Sequence, residues 1–122
     1  MSVKLTTRGN GDVTIVDTSG KLTLGEGTST LRTKIRELVA AGSRRIILNL
    51  ADVTYMDSSG LGELIGAHTT VATAGGEMKL LSLAGHVHDL LKITKLYTVF
   101  ETFEDEASAV SSFKNAKAQQ TS

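Results

Sequence analysis

One stretch concentrates reactive side chains: Asp57-Ser58-Ser59-Gly60-Leu61-Gly62-Glu63. It offers two hydroxyls, two carboxylates and a backbone opened by glycine. Nucleophilic catalysis is the first chemistry to test. A nucleophile elbow needs glycine two residues to either side of the serine. Met56 stands two before Ser58 and Asp57 two before Ser59, so both serines fail. No general base can be assigned to either hydroxyl. Phosphate cradling is the second. Gly20 and Gly25 have P-loop spacing, but Glu26 stands where that loop requires lysine. In Gly60-Leu61-Gly62-Glu63-Leu64-Ile65-Gly66, Ile65 occupies the place of the third glycine of a dinucleotide fingerprint. Metal binding is the third. His86 and His88 would point about 200° apart on a helix, and His68 falls on an apolar stripe. The chain has no cysteine. No catalysis, cofactor or metal is therefore expected.

What remains is a serine that receives a group. Asp57 or Ser58 is the expected N-cap of the helix that follows, since both side chains accept bonds from free helix N–H groups. A phosphate at the positive end of a helix dipole is well placed. It would add about −1.5 to −2 charge beside Asp57 and Glu63. By spacing alone, Ser58 and Ser59 are both open as acceptors.

The surrounding pattern supplies the elements that hold this stretch. Val3 and Leu5 alternate with polar residues, as do Val13 and Ile15, and Asn10-Gly11 between them signals a hairpin. Leu31, Ile35, Leu38 and Val39 share a helical face that Gly42 should end. Ile46 to Leu48 form an apolar run suited to a central strand. The helix after Met56 carries Leu61, Leu64, Ile65, His68, Val71 and Ala72 on one stripe and should end at Gly75-Gly76. A strand over EMKLLSL, a short helix with Val87, Leu90 and Leu91, a strand over TVFETF and a final helix from EDEASAV complete the order. Alternation after the hairpin implies parallel strands and covering helices, with the working site beyond the strands' carboxyl ends.

On a helical wheel, Gly62, Gly66, Thr69 and Thr73 cluster roughly 130° from the apolar stripe. Glycine inside a helix costs about 1 kcal/mol relative to alanine. A bare stripe lets another backbone approach closely. Either a partner protein or a loop of the same chain would satisfy it.

Composition narrows the class. The chain has 122 residues, 40% of them hydrophobic, enough for one domain with a real core. Thirteen basic and thirteen acidic residues cancel, so there is no nucleic-acid footprint. The opening residues lack a signal-peptide apolar run, and no stretch has the length of a membrane helix. A cytoplasmic protein is expected. One domain should span 1–113, followed by a polar tail over 114–122 that has nothing to bury and should fray.

The segment LADVTYMDSSGLGELIGAH resembles the central motif of anti-sigma factor antagonists of the STAS domain family. That motif runs from Asn49-Leu50 through Asp52 to Asp57-Ser58-Ser59-Gly60-Leu61-Gly62. GGEMKLLSL and LLKITKLYTVFETFEDEASAV are similar to later family segments. The resemblance implies an α/β fold with a mixed four- to five-stranded sheet, an N-terminal hairpin and about four helices. It implies that the serine after the motif aspartate, Ser58 here, is phosphorylated by a partner anti-sigma factor that is a serine kinase. The unmodified form would bind that kinase and free sigma factor, and a serine phosphatase would be a further partner. The partner surface would comprise Asp57, Ser59, Gly60, Leu61, Gly62, Glu63, Gly66 and Thr23. Members often carry an acidic residue where this chain has Thr23, with Glu26 three residues on. The alternative is a non-phosphorylated scaffold protein of a transporter or stress-signalling complex.

Overall fold

A computed structural model describes residues 3–121, with side chains for 3–113. The elements run β1 (Val3–Asn10), β2 (Val13–Leu22), α1 (Glu26–Ala40), β3 (Arg45–Met56), α2 (Ser58–Thr73), β4 (Glu77–Leu81), α3 (Gly85–Thr94), a 3-10 turn (Leu96–Thr98), β5 (Thr102–Phe103) and α4 (Glu106–Thr121). The five strands lie in sequence order, β1 antiparallel to β2 and all later pairs parallel. This is the expected mixed α/β sheet with its hairpin and four helices. The frayed tail expected over 114–122 falls outside the described side chains.

The topology explains the layers. Strands β2 to β5 advance in one direction, and crossovers keep one hand, so α1, α2 and α3 fall on the same face. Their buried residues, Leu31, Ile35, Leu61, Leu64, Val71, Val87 and Leu91, share one core with Val16, Ile46, Leu48 and Leu80. Helix α4 follows the last strand and covers the other face with Ala109, Val110 and Phe113 over Ile15, Ile47 and Leu81. Ile46, Ile47 and Leu48 are all buried because β3 is covered on both sides. Helix α4 is also anchored at its start. Arg8 bridges Asp17 at 2.6 Å and Glu106 at 2.8 Å, joining that start to the hairpin.

Three local expectations are corrected. The hairpin turn is Gly11-Asp12, and Asn10 is the last strand residue, paired with Val13. Only Gly11, at φ 66°, takes the positive φ that this two-residue loop needs. The expected strand over TVFETF shrinks to Thr102–Phe103, because Lys95 enters the left-handed region at φ 63° and Leu96–Thr98 wind into a 3-10 turn. The core stripe of α2 is Leu61, Leu64, Ala67 and Val71; Ala72 is exposed and His68 sits at the boundary, edge-on to Phe100.

Candidate functional site

Strand β3 ends at Met56, and the chain turns into α2 beyond the sheet's carboxyl edge. Asp57, in an extended conformation, is the N-cap, which decides between the two candidates. One of its oxygens accepts the N–H of Gly60 at 2.9 Å. The other accepts the N–H of Leu24, in the loop between β2 and α1, at 3.1 Å. Its own N–H donates to the Leu22 carbonyl at 3.3 Å. Asp57 thus joins two loops from separate strands. The bonds from Gly60 and then Leu24 hold its carboxyl below the usual aspartate range.

Gly60 is buried against the end of β2. A Cβ there would overlap the Leu22 carbonyl and come within 2.8 Å of the Met56 side chain. This glycine permits the close approach of α2 to β2. Gly62 and Gly66 belong to a different class. Both are exposed, and nothing lies within 4 Å of a Cβ placed on Gly62. Thr69 and Thr73 are exposed with them. No loop among the described residues packs on this stripe.

Ser58 is exposed in the first turn of α2, and its hydroxyl has no hydrogen-bond partner among the described residues. Ser59 is half-buried. Leu61 is buried, so with Gly60 it shapes the surface from beneath. Glu63 meets Arg32 of α1 at 2.7 Å across the α1–α2 contact. Beside that pair and Gly66 runs a groove of about 230 Å³. Thr23 is half-buried, its carbonyl accepting the Thr28 N–H at 3.2 Å. Of the predicted residues, Ser58, Gly62 and Gly66 form the exposed face, Asp57 knits its edge, and Glu63 is engaged by Arg32.

Two neighbours escaped the sequence reading. Leu24 is 78% exposed at the loop that Asp57 pins. A leucine placed between Thr23 and Gly25 in a turn was the available signal. Tyr55 stacks on His86 at 4.9 Å, and the His86 ring lies 3.1 Å from the Met56 carbonyl. These contacts bring α3 to the same edge. They involve residues distant in sequence, which no local pattern announces. No cluster of three metal-ligating side chains occurs among the described residues.

Known proteins bear on this geometry. The STAS domain model matches residues 4–109. An anti-sigma F factor antagonist from Paenibacillus polymyxa is 34% identical over 65 residues, 53% of this chain and 56% of that protein. An anti-sigma-B factor antagonist from Bacillus subtilis is 38% identical over 71 residues, 58% of this chain and 64% of that one. The matched segments thus span between half and two thirds of these relatives. The crystal structure of an anti-sigma factor antagonist from Mycobacterium paratuberculosis superposes with a TM-score of 0.80 at 17% identity, covering 90% of this chain and 92% of that one. That last likeness is one of fold.

Proposed function

Because the chain belongs to the STAS domain family, we propose that it is a cytoplasmic anti-sigma factor antagonist switched by phosphorylation of Ser58. In the unmodified form, the face of Ser58, Gly62 and Gly66 docks on an anti-sigma factor that is itself a serine kinase, and sigma factor is freed. The kinase transfers the γ-phosphoryl of ATP to the Ser58 oxygen. The new O–P bond replaces the bond to ADP, and the hydroxyl proton leaves to a base of the kinase. The protein is substrate, not catalyst. A phosphatase resets it by hydrolysis.

The observation that carries this reading is the exposure of Ser58, its hydroxyl unpartnered among the described residues, beside a helix face stripped of side chains at Gly62. The same helix turn supplies backbone N–H groups and a favourable dipole for the phosphate. Two further negative charges at a desolvated interface oppose docking. No helix among the described residues is long and apolar enough to cross a membrane, which agrees with a partner met in solution.

The test is incubation with the cognate kinase and ATP, followed by phosphosite mapping and a binding assay on both forms. A phosphopeptide at Ser58 with lost binding supports the switch. Stable complex formation without modification would instead support the scaffold role.

A further inference from the structure

Five large apolar side chains are exposed among the described residues, and three of them lie between positions 93 and 99: Ile93 at 79%, Tyr97 at 53% and Val99 at 41%. Scattered exposed apolar residues are ordinary, but a concentration of them marks an interaction site. The local backbone produces this one. Helix α3 buries Val87 and Leu91, and Ile93 lies about 200° around the wheel from Leu91, so it points outward. Lys95 then takes the left-handed conformation, which non-glycine residues rarely adopt. The 3-10 turn that follows tucks Leu96 against the core and leaves Tyr97 outside.

Beside this ridge is a hollow of about 400 Å³ lined by Leu83, Leu91, Tyr97 and Thr102, with His88 and Lys92 also on its wall. Lys92 and Lys95 are both exposed, and neither has an ion-pair partner among the described residues. The nearby carboxylate of Glu101 is engaged by Lys79 at 2.8 Å. In a chain whose formal charges sum to zero, this is a local positive surplus on an apolar ridge.

We propose that this patch is a second docking surface, for an acidic amphipathic helix of a partner protein. The helix seats its apolar residues in the hollow and along Ile93 and Tyr97, and its carboxylates face Lys92 and Lys95. Such helices are read through apolar anchors at i, i+3, i+4 and i+7. Charge selects the occupant. A second copy would present the same lysines and repel. An anionic membrane needs clusters of about four to eight basic residues for firm attachment, and this patch has two lysines. The surface is separate from the serine face. His86, at the start of α3, touches Met56, and Lys95 is about 13 Å further along the helix axis.

The test is an NMR titration of the isotopically labelled full chain with a synthetic peptide of about four helical turns, carrying leucines at the anchor spacing and glutamates on the flanks. Saturable amide shifts confined to residues 83–102 are expected. Ile93→Ser with Tyr97→Ser should weaken binding at least about tenfold, as loss of central apolar anchors does. Lys92→Glu with Lys95→Glu should do the same, each pair keeping the wild-type circular dichroism spectrum. Ser58→Asp should bind the peptide as wild type does, whatever becomes of the kinase. Four results would overturn the proposal: shifts elsewhere, equal binding of a control peptide with lysine for every glutamate, co-sedimentation with phosphatidylserine vesicles in place of peptide binding, or loss of binding in Ser58→Asp.

Discussion

The Asp57 carboxylate accepts the backbone N–H of Leu24 at 3.1 Å while it caps α2 through Gly60 at 2.9 Å. One side chain therefore sets the position of two loops, one bearing an exposed leucine and the other the exposed Ser58. The charge suits the task, because an ionised carboxylate has acceptor sites for both N–H groups.

This arrangement predicts a pH dependence. The folded state lowers the Asp57 carboxyl through the Gly60 bond first and the Leu24 bond second. A group depressed on folding stabilises above its unfolded value, and that gain fades as pH falls through the folded value. Asn caps helices nearly as well as Asp, but its single carbonyl replaces two acceptor oxygens. Asp57→Asn should have a lower thermal midpoint than wild type at neutral pH. The gap should narrow below about pH 4, where unfolded aspartate takes up its proton. A gap unchanged down to strongly acidic pH would show that charge is not involved.

Gly60 and Gly62 should respond in opposite directions. A methyl at Gly60 collides with a strand carbonyl that cannot yield easily, so Gly60→Ala should cost about 3 kcal/mol, the upper end for overpacking. A methyl at Gly62 meets nothing within 4 Å, so Gly62→Ala should gain about 0.5–1 kcal/mol of helix stability. Gly62→Leu should keep the fold and weaken kinase binding. Urea unfolding of the variants, with a binding assay on Gly62→Leu, decides both points.

Ser58→Asp should lower kinase affinity by about a hundredfold, since burying an unpaired carboxylate at an interface costs several kcal/mol and each 1.4 kcal/mol is tenfold. Its thermal midpoint should hold, because an acidic residue in a helix's first turn is favourable. Ser58 is exposed and Ser59 half-buried, so Ser58→Ala should abolish phosphate incorporation and Ser59→Ala should retain it. The reverse pattern would move the acceptor by one residue.

Lys79 is buried beneath α4, with its ammonium 2.7 Å from the Ser112 hydroxyl and 4.5 Å from the centre of the Phe113 ring. Its partner Glu101 is largely exposed, so removing the lysine strands no buried charge. Lys79→Met, which keeps the apolar stem, should lie within about 1 kcal/mol of wild type. Lys79→Ala leaves a void under α4 and should cost about 2 kcal/mol or more. Equal losses in the two would assign the stability to the ion pair instead of the packing.

Much of this protein was legible in its sequence because the signals are local. Period-two alternation marked the hairpin strands, the apolar run marked β3, and Gly42 stops α1 at φ 101° as a C-terminal glycine does. The off-core stripe of Gly62, Gly66, Thr69 and Thr73 followed from helical geometry, and all four are exposed. The contacts that arrange the site were not local. Gly60 could be read as part of a docking surface until its contact with Leu22, distant in sequence, showed it pressed against β2. Glu63 looked free until Arg32 of α1 met it. The choice of Asp57 over Ser58 as cap rests on a carboxylate that must also reach Leu24. Propensity and period act within a few residues and so leave their mark on the chain. A bond between residues 24 and 57 exists only once the parallel sheet has brought the ends of β2 and β3 side by side.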